Sequence, residues 1–530
     1  MEVDCYLIGI GGTGAKCVES FIHLAAANLL PSSVRIGLVD QDESNGNLAR
    51  CKDTLGLYTK LYQDLRSGHN SLKGSPFLKT DLTYPYDKQG DPGEISVWCP
   101  VSSVRNLDAL FRSEAMSPEV KYLYQCLFSP NDRIADLKVG FRGRPYIGAA
   151  AFLASTMAGT PFDKMIMQKV KDSIQKGNQA RIYLLGSIFG GTGAAGMPVI
   201  ARRLHKAMSG LGRKESLKIG GCMMLPYFQF GSKREEDMLA ASDGAFIEQT
   251  QGALKYYHRL LLSEHYEESP LFDSLSFLGW NPLINLGYFA EGNQAQVNPS
   301  LLPELYAALA ATRFFANPLP GNLIAKRPEE KISWYDLPAL DYGNPSGLTV
   351  REGVGSLVRF CFAYLASYFP FMKPENASNY ENQPWWRRLL AKKQVSPTDA
   401  TTSDTLQSLE KYSKMVLQWG ASLSYLPLPE SQQRADLFQV KAFAQRPRAL
   451  QPGQVQLMDY RGFQREEFSD LVKMGKGLSL EDVYEKMCTR QQGKSMASKM
   501  ELDGLGWFVG HLYHHCRIYD DQKNRFNQAA

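Results

Sequence analysis

Two apolar periodicities take turns along this chain. Short unbroken apolar runs end in glycine or in an acid, and after each run the apolar positions recur every three or four residues. Residues 4–10, Asp4 to Ile10, predict a strand that ends in glycines, and Val18, Phe21, Ile22, Ala25 and Leu29 then keep helical spacing. Residues 34–40, Val34 to Asp40, predict a second strand closed by an acid, and 181–186, 218–225 and 275–280 predict three more. Residues 298–315 predict a long, largely buried helix. Strands separated by helical stretches imply a parallel sheet with helices on both faces, the α/β class.

Between these elements the pattern weakens. The segment 43–138 is rich in turn residues and predicts an insertion with some helix near Val120 to Leu127. A glycine turn at 142–148 then leads into another helix, and Pro198 is expected in the first turn of a further one, where its missing N–H is harmless. Beyond 318 the pattern is mostly helical, with candidates at 350–372, 404–421 and 480–489, and only 453–460 alternates like a strand. The polar stretches 373–384 and 428–435 read as loops, and no repeat of solenoid length is present. The expected organisation is a first domain over 1–317, carrying the insertion, and a mostly helical C-terminal domain over 318–530.

Composition narrows the classes. With 44% hydrophobic and 21% charged residues over 530 positions, the chain can bury sizeable cores and is not disordered as a whole. A net charge of +5, spread along the sequence, does not argue for a nucleic-acid partner. The longest apolar run, Phe360 to Met372, falls short of the roughly 20 residues a membrane span needs and predicts a buried helix. Nine cysteines without CxxC pairs fit reduced thiols, and no basic leader precedes the first apolar run, so a cytoplasmic location is expected.

The candidate chemistry lies in two glycine turns. Gly9-x-Gly11-x-x-Gly14 follows the first strand and opens a helix; Gly190-Gly191-Thr192-Gly193 does the same after 181–186. Glycines let the backbone approach a phosphate, and a helix N-terminus offers it N–H groups. Thr13 and Thr192 would add hydroxyls or cap the helices. The first turn, with Asp40 ending the next strand, fits a dinucleotide (NAD or FAD) enzyme. Asp40, Asp42, Asn47, Leu48 and Arg50 are also similar to the pattern of the ubiquitin-activating, ThiF-like adenylating enzymes. Neither reading requires a second turn, whereas a triphosphate wrapped from two sides does.

Gly190-Gly191-Thr192-Gly193-Ala194 resembles the core of the tubulin/FtsZ signature, with Phe189 and Ala195 in place of its outer residues. The resemblance extends in order through Gly11-Gly12-Thr13-Gly14, Asp40-Gln41-Asp42, Arg142-Gly143-Arg144-Pro145, Leu225-Pro226-Tyr227 with Arg234 after it, and Asp273-Ser274-Leu275. On these residues the chain looks like a divergent prokaryotic member of the tubulin superfamily. The resemblance implies a tubulin/FtsZ-like GTPase domain that binds GTP or GDP with Mg2+. In that reading Gly11, Gly12, Thr13, Gly14, Gly143, Gly190, Gly191, Thr192 and Gly193 line the phosphates. Lys16 pairs with phosphate or lies on a solvated face, Asp42 holds Mg2+ through water, and Arg144 and Arg234 neutralise the γ-phosphate side. Glu304 would read the guanine edge, with Asn298 as a weaker partner, while Phe230 stands where a ribose-binding acid is expected. Asp336 and Asp341, within 332–341, would polarise water across the joint to a neighbouring copy. Head-to-tail self-association follows from the resemblance, with a protein partner on the insertion or the C-terminal region. A non-hydrolysing scaffold would carry the same signature.

Two further clusters have competing readings. His511 and His515 share a helix face, as zinc ligands do, but no second ligand group is evident. Trp385-Trp386-Arg387-Arg388 is either a partner patch or a segment folded onto the core, the latter being preferred.

Overall fold

The computed structural model describes residues 2–66, 71–86, 94–141, 143–212, 214–230, 243–261, 270–286, 297–316, 323–326, 331–338, 340, 346–373, 381–391, 395–424, 434–446, 454–474, 477–489 and 501–519. Seven strands make one sheet: β1 (Val3–Ile10), β2 (Ser33–Val39), β3 (Asp81–Thr83), β4 (Gln179–Ser187), β5 (Leu217–Met224), β6 (Ser274–Trp280) and β7 (Leu323–Lys326). Their order is β7-β6-β5-β4-β1-β2-β3, and every pairing is parallel. Leu7 of β1 lies between Ile36 of β2 and Tyr183 of β4. The chain therefore builds outward from β1 through β2 to β3, then restarts at β4 and builds the other way. Such a reversal leaves a crevice between the carboxyl ends of β1 and β4, where the two flanking loops diverge.

Helices cover both faces: α1 (Gly11–Ala26), α2 (Gly46–Asp64), α3 (Pro145–Ala154), α4 (Gly191–Met208), α5 (Asp243–Leu261), α6 (Leu302–Ala316), α7 (Val350–Ala363), α8 (Ala400–Ser424) and α9 (Gly504–His515). Neighbouring residues of β5 divide the faces. A Cβ at Gly220 would meet Phe314 of α6, and one at Gly221 would meet Met197 of α4. Phe315 of α6 stacks edge-on with Phe21 of α1, which puts α1 and α6 on one side. The C-terminal helices form a further layer over that side. Trp419 of α8 donates from Nε1 to Ser20 Oγ at 3.1 Å, and Tyr412 of α8 meets His23 Nδ1 at 3.3 Å. Covered by sheet below and helices above, α1 is buried at every position from Gly14 to Ala26.

The expected α/β sheet and helical C-terminal region are present, with three differences in organisation. Segment 43–138 is not a simple insertion: it supplies α2 and the edge strand β3. Leu48, Cys51, Leu55, Tyr58 and Leu61 give α2 its buried face, and Asn45 caps its start by accepting from the Asn47 and Leu48 N–H groups. The expected division at 317/318 does not bound the sheet, because β7 lies beyond it and pairs with β6. A single hydrophobic cluster runs from β1 to α9. Among the described residues of the strand expected over 453–460, only Gln456–Leu457 pair as strand.

Pro198 also departs from expectation. It sits inside α4, not in its first turn, because the helix already starts at Gly191. The apolar stretch 350–372 is helical and buried as expected. It continues from α7 through a π turn at Tyr364–Tyr368 and ends in a 3-10 turn at Phe369–Phe371, where Pro370 has no N–H to extend the ladder. Among the described residues, Val350–Phe371 is the one helix long and apolar enough to cross a membrane, and 83% of its most apolar stretch is buried inside the protein. Trp385 and Trp386 are buried, so that segment is folded onto the core.

Candidate functional site

The two glycine turns meet at the carboxyl ends of β1 and β4. Gly11 has φ +72°, a conformation that favours glycine, and a Cβ there would stand 3.4 Å from Thr192 Cβ and 3.5 Å from the Gly193 nitrogen. The turns that open α1 and α4 thus lie side by side. The capping residues, Ile10 and Gly190, provide no side-chain hydrogen bond to either helix. Two helix N-termini without side-chain caps, side by side, make a locally positive place for an anion.

A third loop closes on them. A Cβ on Gly191 would lie 2.6 Å from Phe141 Cβ and 3.3 Å from the Arg144 nitrogen, so only glycine permits this approach. Gly143 and Gly140 in this loop both have positive φ, and Gly140 faces the Asp42 side chain. The Arg144 guanidinium turns away to Asp132, with its NH1 donating at 3.0 Å, and Tyr146 donates to the same carboxylate at 2.8 Å. Gly12 lies under the Asn45 side chain, and Gly14 packs against the Leu185 carbonyl of β4.

The acid that ends β2 lies in this cluster. Asp40 Oδ1 accepts from Thr192 Oγ1 and from the Asp42 N–H, both at 3.3 Å. Its Oδ2 is buried and has no hydrogen-bond partner. Burial pushes the Asp40 carboxyl up to about 7, with the neighbouring Asp42 adding to the shift. Asp42 turns its own Oδ1 to the Ser44 N–H and hydroxyl, at 3.2 and 2.7 Å. Backbone cradles with no room for side chains and an orphaned buried carboxylate fit a phosphate group that carries a divalent cation. Asp40 and Asp42 would hold that cation, which would neutralise the phosphate beside an acid.

Other expected site residues are engaged elsewhere. Lys16 is ion-paired with Glu304, and the two are only 2% and 0% exposed. Glu304 also accepts from Tyr227 Oη and from the Leu301 N–H, both at 2.8 Å. Burial raises the Glu304 carboxyl above its ordinary value against the pull of Lys16. Lys16 therefore does not lie on a solvated face, and Glu304 faces the interior. Asn298 is held through its backbone: its N–H donates to Asn47 and its carbonyl accepts from Arg50. Asp336 caps a short 3-10 turn, taking the Ser333 N–H and hydroxyl at 2.7 and 2.8 Å. Arg234 and Asp341 lie outside the described residues. His511 and His515 lie 6.1 Å apart between ring centroids, and no group of three or more His, Cys, Asp or Glu able to hold a metal occurs among the described residues.

The sequence pattern placed Asp40 in the Asp40-Gln41-Asp42 stretch but gave it no site role in the tubulin-like reading and no sign of its contact with Thr192. Tyr227 entered that pattern only within the Leu225-Pro226-Tyr227 stretch, and nothing local indicated that it packs against Phe189 of the second turn and bonds to Glu304. The residues that resemble adenylating enzymes make an internal network: Arg50 binds Glu19 through Nε and NH2 at 2.8–3.0 Å and reaches Ser300. Arg50 and bonds from Ser300 outweigh burial and hold Glu19 below its ordinary value.

No family model matches the chain, and no curated protein matches it. Among solved structures it is similar to CetZ from Methanosaeta thermophila strain DSM 6194, at 12% identity and a TM-score of 0.21. That match covers 53% of this chain and 46% of the other, so the two overlap over about half their lengths.

Proposed function

We propose that the crevice between β1 and β4 binds the phosphates of a nucleotide with Mg2+, the GTP or GDP implied by the glycine signatures. The observation that carries this reading is the contact between the first and second turns at Gly11 and Thr192. One cradle would serve a dinucleotide; two adjacent cradles suit a chain of phosphates held from both sides. Asp40 supports a cation there, through its unpartnered buried oxygen. The adenylating alternative is not favoured, since Asn47 and Arg50 are spent on Asn298, Glu19 and Ser300.

Nucleotide-dependent association of copies is the second part of the proposal, and the sequence resemblance implies it. Leu123, Leu127 and Ile134, on the segment before the loop of Phe141, Gly143 and Arg144, and Tyr146, just after it in α3, are exposed apolar side chains that would suit a protein neighbour at the mouth of the crevice. Hydrolysis by Asp336 and Asp341 across such a joint would require Asp336 to leave its cap.

The test is nucleotide release and rebinding. Protein purified without added nucleotide is denatured, and the released ligands are separated by anion-exchange chromatography. Guanine nucleotide at a substantial molar fraction, or Mg2+-dependent rebinding of GTP by calorimetry, is the expected result. A released nicotinamide or flavin dinucleotide, or no binding of any nucleotide, would overturn the reading. Light scattering with and without GTP then reports association.

A further inference from the structure

We infer that the cleft between α8 and the turns that end α7 is a binding site for a free α-amino acid with an apolar side chain. The inference is independent of the nucleotide reading and concerns the C-terminal helical layer. The cleft has a volume of about 220 Å3, below the roughly 300–1,000 Å3 of sites that hold drug-sized ligands. Its floor is apolar: Phe369, Met372 and Leu406 line it, and all three are buried. The helical run of α7 reaches this floor through the π turn at Tyr364–Tyr368, a departure from regular helix that recurs at functional sites. Tyr364 of that turn donates its hydroxyl to the Leu406 carbonyl at 2.9 Å and fixes the two walls to each other.

Polar groups of both signs line the rest. Ser403, Gln407 and Glu410 recur at helical spacing on one face of α8. Gln407 donates from Nε2 to Ser403 Oγ at 3.2 Å, and its amide oxygen remains an acceptor. Glu410 takes the Lys414 ammonium on Oε1 at 2.7 Å, which leaves its second oxygen for another cation. From the α7 side comes Lys373, whose ammonium lies 5.6 Å from the Phe369 ring centroid and 5.4 Å from that of Tyr460. An ammonium has three donors, so Lys373 can serve a carboxylate in addition to its present contacts. Acceptors along α8, a cation from α7 and an apolar floor match the three parts of an amino acid: ammonium, carboxylate and side chain. A simple carboxylic acid or a simple amine would fill the cleft and leave the Glu410 or the Lys373 charge unmatched, which costs affinity.

The experiment is a ligand-observed NMR titration of the full chain with leucine, glycine, leucinamide, which lacks the carboxylate, and 4-methylpentanoate, which lacks the ammonium. Leucine is expected to bind with a Kd of about 0.1–1 mM, the range open to so small a ligand. Glycine, without the apolar part, should bind at least about tenfold more weakly. Leucinamide and 4-methylpentanoate should each lose about tenfold as well. Lys373→Met should weaken leucine about tenfold and leave leucinamide unchanged, and Glu410→Gln should weaken leucine about tenfold and leave 4-methylpentanoate unchanged. Both side chains are partly exposed, so both variants are expected to fold; if one does not, the four ligands on the unaltered chain decide. Leucine that fails to saturate below about 10 mM, glycine that binds as tightly as leucine, or folded variants that weaken every ligand alike or none overturns the inference. None of these outcomes touches the phosphate site, which nucleotide release tests separately.

Discussion

Tyr257 of α5 donates its hydroxyl to the carbonyl of Ala194 at 3.0 Å, in the second turn of the α4 backbone. That carbonyl would ordinarily accept from the residue four positions on, which is Pro198 and has no N–H. A side chain from another helix thus replaces the missing ladder bond just beyond the second glycine turn.

Tyr257→Phe should therefore cost about 1–2 kcal/mol, the penalty for a buried acceptor left without a donor. Urea denaturation measures it. On a Pro198→Ala background the N–H returns, and the same Tyr257→Phe change should cost clearly less. Equal costs on both backgrounds would separate the hydroxyl from the proline.

The glycine turn and the buried acid should act on the ligand differently. Gly11→Ala places a side chain at φ +72° and 3.4 Å from Thr192, a backbone strain of about 1–2 kcal/mol. Its nucleotide affinity should fall with and without Mg2+. Asp40→Asn keeps the shape and removes the charge, so only the Mg2+-dependent part of binding should fall, by about tenfold. Titrations with and without chelator distinguish the two variants.

Arg50 offers a test between a structural and a catalytic role. Arg50→Met leaves Glu19 buried and unpaired, and the loss should be about 3–5 kcal/mol of folding stability in the absence of any ligand. A stable Arg50→Met protein that had lost only adenylate chemistry would instead support the adenylating reading. Thermal unfolding without nucleotide gives the answer.

Acid should loosen the layer over α1. Burial pushes the His23 imidazole down to about 4, below its ordinary value near 6.5, so the folded state prefers it neutral. A folded value below the unfolded one means that the stability is complete above about pH 6.5 and is lost as pH falls toward 4. The full loss from this group is on the order of 3 kcal/mol. His511 and His515, which burial lowers to about 4 and about 3, act in the same direction. Denaturation at pH 7.5 and pH 5 should show the drop, and His23→Gln should reduce it without abolishing it.

The sequence by itself determined the α/β class, the strands β1, β2, β4, β5 and β6, and both glycine turns. Those signals are local: consecutive apolar residues running into glycine leave few other backbone paths. α2 was not legible, because the turn-rich residues around it masked the helical period that Leu48, Cys51, Leu55, Tyr58 and Leu61 keep. Pro198 misled for a related reason. The local rule placed it at a helix start, and only a hydroxyl from α5 makes its interior place affordable.

The tertiary structure alone decided what the polar side chains do. Sequence could place Lys16 after a glycine turn and Glu304 at the start of a helix, but α1 and α6 come together only when both pack on one face of the sheet. A buried charge takes whichever opposite charge the fold brings within reach, because solvation is no longer available to it. The strand order 3-2-1-4 made neighbours of Gly11 and Thr192, and the same packing turned Lys16 and Glu304 toward each other.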